Sequence, residues 1–266
     1  RDIDTLSGND VANYSLDNGL GNPETVIIKE NDSSIVWLKF ADNFINKTQY
    51  SLAIQHVADR ELDSMLTAEI SFLYYVPEPN DIVINEFMAD PTPEVNLPNF
   101  EYVEIFNTTP YSIDISNWII KMGTTERVIP AYMLNSDSYL ILCSPTATAD
   151  LGFYGETLGV NSFPTITNSG STISLLSPDS LVISKISFTA EWYNDNSKID
   201  GGWSIERIDP LNTCSQKSNW KASVHPNGGT PGVENSVFAQ YIDSVAPYVE
   251  NIEIISSNQL RIKFSE

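Results

Sequence analysis

Acidic side chains are the residues of this chain whose type and spacing could perform chemistry. The stretch between positions 81 and 118 contains Glu86, Asp90, Glu101, Glu104 and Asp114. Two carboxyl groups held at a fixed separation are the machinery of glycoside hydrolysis. However, Glu101 and Glu104 have opposite parity along an extended segment, so their side chains point to opposite faces of a strand. We therefore expect these carboxylates to cap turns or to meet Arg127 or Arg207, and not to catalyse a reaction.

Calcium binding through carboxylate oxygens is a second candidate chemistry, in two acidic loops. Asp90 and Glu94 lie among prolines that stiffen the first loop, and Asp195 and Asp200 belong to the second. Calcium prefers several oxygen ligands, many of them carboxylates. The second loop lacks the full EF-hand spacing and its terminal glutamate. We expect a pair of solvated acidic loops and no cofactor, with calcium at these four residues as the alternative.

An aromatic ligand patch is the third candidate. Trp192 and Tyr193 stand next to polar residues, which favours an exposed surface that binds a ligand such as carbohydrate. Trp118, Trp203 and Trp220 are instead expected to anchor the core, because buried indoles supply large apolar area.

The remaining reactive residue types form no recognisable catalytic arrangement. His56 and His225 are isolated from each other and from any partner at metal-ligand spacing. There is no nucleophile elbow, no phosphate-binding glycine loop and no zinc-protease motif. Cys143 and Cys214 either form a disulfide or remain two buried thiols. We therefore predict that the chain is not an enzyme.

Composition limits the class of partner. The 266 residues include 35 acidic and 14 basic ones, which gives a formal net charge of −21. A protein that binds nucleic acid or an anionic membrane needs clustered Lys and Arg, and no such cluster exists. No apolar run is long enough for a transmembrane helix. Protein or carbohydrate at a cell surface is the expected partner.

The elements that must position these residues are predicted to be strands. Short runs rich in β-branched and aromatic residues recur between turn-forming clusters, which is typical of antiparallel sandwiches. The ten clearest predicted strands are 25–29, 35–40, 50–57, 70–75, 81–87, 102–107, 118–122, 139–143, 172–176 and 182–188. Pro77 to Asn80 is the predicted linker between two domains, because its prolines stiffen the chain.

Several motifs follow one another in the middle of the chain. They are Ile84-Asn85-Glu86, the run from Glu101 to Asn107, the run from Ile113 to Trp118, and the run from Gly202 to Arg207. Together they resemble the lamin tail domain as it occurs in bacterial secreted proteins. The resemblance covers residues 79–240 and implies an Ig-like β-sandwich that serves in binding or assembly and carries no catalytic residues. The added length at residues 144–170 makes those loops the expected carriers of specificity.

The first 78 residues carry other motifs, in the runs 13–16, 35–40 and 50–54. Their order resembles bacterial Ig-like modules of surface proteins, so the expected fold is all-β, with two Ig-like antiparallel sandwiches in tandem. The resemblance implies an initial strand pair, which residues 1–20 do not contain. Residues 245–266 have the pattern of such a pair. They either begin a further repeat or complete the N-terminal sandwich of their own chain or of a neighbour, by strand complementation. We favour complementation, with self-association by strand exchange as a consequence.

The functional hypothesis that follows is a non-catalytic extracellular module for adhesion or assembly. Because the chain begins without Met, we expect a fragment of a larger multidomain protein that is secreted or exposed at the cell surface. The alternatives are an accessory module that targets a secreted hydrolase to its substrate, and a carbohydrate-binding protein.

Overall fold

The computed structural model describes residues 2–212, 217–240 and 246–265, so Cys214 lies outside the described residues. Strands form most of the regular structure, as the sequence predicts, and the helices are single turns. The chain divides into two compact units, residues 1–76 and 77–266.

The first unit contains two small antiparallel sheets. Its elements are α1 (Thr5–Gly8), a 3-10 turn (Val11–Asn13), β1 (Tyr14–Leu16), β2 (Thr25–Lys29), β3 (Asp32–Lys39), β4 (Thr48–Ile54) and β5 (Ala68–Tyr74). The sheets have the orders β1-β4-β5 and β2-β3. Tyr50 is buried beside Phe44 and Phe72, with ring centroids 5.3 and 5.7 Å away. No residue of β2, β3 or β5 is fully buried, so this unit encloses only a small core.

The second unit holds most of the strands. Its elements are β6 (Ile82–Met88), β7 (Tyr102–Asn107), β8 (Ile113–Asp114), β9 (Ile119–Met122), β10 (Thr125–Val128), β11 (Met133–Leu134), β12 (Tyr139–Cys143), α2 (Thr148–Leu151), β13 (Thr157–Gly159), β14 (Gly170–Leu176), β15 (Val182–Thr189), a 3-10 turn (Ala190–Tyr193), β16 (Ile205–Arg207), a 3-10 turn (Lys217–Asn219), β17 (Trp220–Ala222), β18 (Val249–Ser256) and β19 (Gln259–Phe264).

Two sheets of the second unit pack face to face. The larger has the order β13-β12-β7-β6-β16-β17, and the smaller has the order β10-β9-β14-β15. Phe87 of β6 contacts Phe188 of β15 with ring centroids 4.5 Å apart. The amide of Ile84 donates to the hydroxyl of Ser184 at 3.0 Å. Alternating apolar residues from both sheets thus form the interior of a β-sandwich.

The larger sheet is covered on its outer face as well. All seven residues of β6 are buried, which a strand with one solvated face would not show. Met88, Tyr102 and Ile141 form an outer cluster with residues that follow the strands, among them Leu97 and Leu151. This second cover matters for function, because it encloses polar side chains that would otherwise face water.

Cys143 is a free, buried thiol in that outer cluster. Burial raises the pKa of this thiol to about 11, so it is protonated and unreactive at neutral pH.

The predicted strands are confirmed for the ten clearest runs. Residues 25–29, 102–107 and 139–143 form strands with the predicted bounds, and the other strands shift by a few residues at one or both ends. The shifts occur where polar residues extend a ladder, as at Asp32 in β3, because main-chain pairing does not depend on an apolar side chain.

β18 and β19 form a separate two-stranded sheet. Ile252 opposes Ile262 and Ile254 opposes Leu260, and all four side chains are exposed. A two-stranded hairpin is marginally stable in water by itself. We therefore expect another part of the protein, or a partner, to pack against its apolar face. Strand complementation by residues 245–266 stays a prediction; residues 245 and 266 lie outside the described residues.

Candidate functional site

Three glutamates form a row across the centre of the larger sheet. Glu206 of β16 opposes Glu86 of β6, and Glu86 opposes Glu104 of β7. Neighbouring strands lie about 4.8 Å apart, so side chains on one face of the row are adjacent. All three residues are 0% exposed. Buried carboxyls are rare unless hydrogen-bonded, so their partners define what the row does.

The partners belong mainly to residues 229–237, named here the closing segment. The backbone contacts are Thr230 N to Glu86 Oε1 at 3.0 Å, Gly232 N to Glu104 Oε2 at 2.5 Å, and Val237 N to Glu206 Oε2 at 3.1 Å. A buried polar group is stable in the interior when it has a hydrogen-bond partner, and these amides supply one to each carboxyl. The row therefore fastens the closing segment over the outer face of the sheet.

The hydroxyl of Thr230 lies between two of the carboxyls. Its Oγ1 is 3.2 Å from Glu86 and 2.9 Å from Glu206. A hydroxyl has one proton to donate, so both contacts are hydrogen bonds only when one carboxyl is protonated. Burial, followed by the charge of Glu206, raises the pKa of Glu86 to about 7. Burial also raises the pKa of Glu104 well above its usual range.

A carboxyl with a pKa near 7 often marks a catalytic acid, but this row lacks access. Glu86 accepts from the Tyr102 hydroxyl at 2.5 Å, and Glu104 accepts from Asn85 at 2.9 Å. Protein groups thus occupy the positions around the carboxyls, and none of the three residues contacts solvent. As it stands, the arrangement can hold a segment of backbone and cannot receive a substrate.

The expectation that an arginine meets these carboxylates was wrong. Arg207 donates from Nε to the carbonyl of Ile84 at 2.8 Å, and its guanidinium lies 4.8 Å from the ring centroid of Trp220. Arg127 donates from Nε to the carbonyl of Ser162 at 3.0 Å. Backbone amides, hydroxyls and the side-chain amide of Asn85 satisfy the buried acids instead.

A cleft of about 370 Å³ opens beside this row. Such a volume falls in the range of small-molecule sites. Its walls come from the ends of strands and from loops far apart in sequence: Asn85, Phe106, Thr108, Asp137, Tyr139, Arg207, Asp209, Pro210, Leu211, Glu234, Asn235, Phe238 and Gln240. A polar cleft of about 490 Å³ shares Asp137 and Tyr139 with it.

The cleft combines apolar and acidic groups. Phe106 and Tyr139 stack on each other with centroids 4.6 Å apart. Phe238 is 44% exposed and Leu211 is 67% exposed. Apolar surface with a few polar groups is the usual composition of a binding site. Sequence reasoning missed the cleft, because no local motif joins β7, β12 and the closing segment.

The predicted calcium ligands engage neighbours in their own loops. Asp90 Oδ1 accepts from the Thr92 amide at 3.3 Å, and Asp195 Oδ1 accepts from the Ser197 amide at 3.0 Å. Glu94 and Asp200 complete the predicted set. Calcium binding stays a prediction, and calorimetric titration of calcium into the protein would test it, because absence of heat would remove it.

A different cluster of acidic residues has carboxylate oxygens that lie close to one another. Within the described ranges, Asp59, Glu61 and Asp63 are the three acidic residues with ligand atoms inside 4.8 Å of one another. Asp59 Oδ1 accepts from the amides of Glu61 and Asp63 at 2.9 and 3.1 Å. These hydrogen bonds close a turn, and the turn explains why the three acidic residues lie together.

The prediction of an exposed ligand patch at Trp192 and Tyr193 was wrong. Trp192 is 4% exposed and Tyr193 is 2% exposed. Trp192 packs against Trp220 with centroids 5.7 Å apart. A one-turn 3-10 helix points both rings inward, which the polar residues after them in sequence did not indicate. Trp118 and Trp220 are buried, as predicted.

Comparison with protein families finds a match in the middle of the chain. The family model described as Lamin Tail Domain matches residues 76–190. This family has an Ig-like β-sandwich fold and is non-catalytic. The match includes Glu86 and Glu104, whereas Glu206 and the closing segment lie beyond it. No curated protein matches the chain. Within the described residues, no helix has the length and apolar character needed to cross a bilayer.

Proposed function

We propose that this protein is a non-catalytic binding module for adhesion or assembly, acting outside the cytoplasm as part of a larger surface or secreted protein. One observation carries the proposal. The carboxyls whose pKa values suit acid–base chemistry are buried and bonded to protein groups, whereas the cleft beside them is open. A ligand can therefore reach the cleft, whereas a substrate cannot reach the buried carboxyls to exchange a proton with them.

The walls of the cleft are held by the same interactions that fasten the closing segment. Asn235 donates to the carbonyls of Asn85 and Arg207 at 3.1 and 2.7 Å. The amide of Asn85 donates in turn to Asn235 and to Glu104, at 2.9 Å each. A binding surface that is already ordered loses less conformational entropy when its ligand binds. This rigidity supports a role in recognition.

Protein or carbohydrate is the partner class that the charge supports. With a net charge of −21, the chain would repel nucleic acid and anionic lipid. An accessory module of a secreted hydrolase and a carbohydrate-binding protein are the alternatives, and both would use the same cleft. A glycan array tests the second alternative, and the domain order of the full open reading frame tests the first.

The proposal is tested by measuring binding and turnover in one sample. Fluorescently labelled protein is incubated with isolated cell envelopes and with extracellular polysaccharides, and soluble products are assayed. We expect saturable binding without product. Hydrolysis that is lost in a folded Glu86→Gln variant would contradict the proposal, because it would make the buried row catalytic.

A further inference from the structure

We propose that the two adjoining clefts form one groove that binds an extended peptide segment carrying Lys or Arg beside an aliphatic residue. This inference rests on the proposed binding function and names its partner. Asp137 and Tyr139 line both clefts, so the two volumes meet at these residues. Volumes of about 370 and 490 Å³ exceed what one side chain fills, and they fit several consecutive residues.

The charge of the groove favours a cationic ligand. Asp137, Glu156 and Glu234 line it with exposed carboxylates, and Asp209 adds a buried one. Arg207 is the basic residue among the described lining residues, and it is only 6% exposed, with its guanidinium over Trp220. The solvent-facing charge is thus negative. Complementary charge steers a partner to such a surface and selects its sign.

The apolar part of the groove favours an aliphatic side chain over a sugar ring. Sugars bind to the open face of an aromatic ring, and Phe106 and Tyr139 each lose one face to the other, at an interplanar angle of 30°. Phe238 and Leu211 supply exposed apolar surface beside the carboxylates. Successive side chains of an extended peptide point to opposite sides. A peptide that alternates cationic and aliphatic residues can therefore place one type against the carboxylates and the other against the apolar surface.

The phenols of the groove suit a peptide main chain. Burial, together with the charges of Glu104 and Glu234, raises the pKa of Tyr139 to about 12. Burial and the charge of Glu156 also raise the pKa of Tyr132. Both hydroxyls therefore keep their protons at neutral pH. The Tyr132 hydroxyl bonds to Glu156, and the Tyr139 hydroxyl can donate to a carbonyl oxygen of the peptide.

The inference is tested by fluorescence anisotropy with two labelled peptides, one alternating Lys and Leu and its twin alternating Glu and Leu. We expect the full chain to bind the basic peptide at least about tenfold more tightly than the acidic one. Affinity should fall on the order of tenfold when salt rises from about 0.05 to 0.5 M, since exposed charges are screened.

Paired variants locate the binding. Asp137→Asn combined with Glu234→Gln removes two exposed carboxylates from the groove, and we expect an affinity loss of about tenfold. Asn tolerates the left-handed backbone at position 137, where φ is 50°. Asp42→Asn combined with Glu30→Gln makes the same charge change at exposed positions outside the groove and should leave affinity unchanged.

Each other outcome overturns the inference. Equal binding of the two peptides, equal loss in the control variant, or no binding would remove the basic peptide as ligand. Binding of spermine at least as tight as that of the peptide would assign the groove to small polycations. The proposed function fails separately, when labelled protein binds no cell envelope or polysaccharide at all.

Discussion

The backbone amide of Thr230 donates to the carboxyl of Glu86 at 3.0 Å, across 144 positions of sequence. Glu86 lies at the centre of the larger sheet, and Thr230 begins the part of the closing segment that covers it. This contact joins the centre of the larger sheet to a wall of the cleft, since Asn235 of the same segment lines that cleft. Stability of the fold and shape of the binding surface are therefore expected to change together.

Removal of the Thr230 hydroxyl tests whether the glutamate row holds the closing segment on the sheet. Thr230→Val keeps the volume and the backbone amide but leaves Glu86 and Glu206 without the hydroxyl between them. Leaving a buried polar group without its hydrogen-bond partner costs about 1–3 kcal/mol. Urea unfolding should show this decrease. Thr125→Val, at an exposed position of β10, should change the free energy of unfolding by less than about 0.5 kcal/mol; equal effects would refute a special role for Thr230.

The row of glutamates predicts a pH dependence of stability. The pKa of Glu86 is raised from 4.5 to about 7 in the folded state, so the folded protein holds a proton that the unfolded chain releases. The free energy of unfolding therefore falls as pH rises from about 4.5 to 7. The half-buried Glu101, whose pKa burial also raises, acts in the same direction.

Unfolding curves between pH 5 and 8 measure this effect, which we expect to be on the order of 2 kcal/mol. Glu86→Gln, which cannot titrate, should flatten the profile, whereas Glu94→Gln at an exposed position should not. A profile that rises with pH in this window would contradict the assignment of a protonated buried row.

Trp192 is expected to stabilise the core. Trp192→Ala should cost about 3–5 kcal/mol, the usual range for deletion of a large buried aromatic. Phe153→Ala is the matched control, because Phe153 is 88% exposed. Denaturant unfolding of both variants decides the question. If Trp192→Ala left the free energy of unfolding unchanged but abolished glycan binding, Trp192 would belong to a ligand patch after all, against its burial.

Strand complementation by the C-terminal hairpin makes a separate prediction. Ile252→Ser alters the exposed apolar face, and Asn251→Ser alters the other face of the same strand. If the apolar face docks on an N-terminal sandwich, the first change should lower the melting temperature or the oligomeric state, and the second should not. Deletion of residues 245–266 should do the same; no change in either quantity would rule complementation out.

The sequence predicted strands better than it predicted sites, for a physical reason. Strand patterns are local, so the run from Tyr102 to Asn107 could be read directly. Contacts such as Gly232 to Glu104 join positions 128 apart, and no spacing rule connects them. Parity predicted that Glu101 and Glu104 point apart, and the two carboxyls have different partners, Ile166 and Gly232. Parity did not reveal that Glu86 opposes Glu104. Trp192 was misjudged because polar neighbours in sequence do not report which way a single helical turn faces.

The most direct test of a binding function at this cleft is a comparison of Phe238→Ala with Phe153→Ala in binding to cell envelopes. Both side chains are exposed, so neither change should unfold the protein, but Phe238 lines the cleft and Phe153 does not. We predict that Phe238→Ala weakens binding by roughly tenfold, the loss of about 1.4 kcal/mol of contact, and that Phe153→Ala binds as the natural protein does. Equal binding by both variants, or loss in Phe153→Ala alone, would contradict the account.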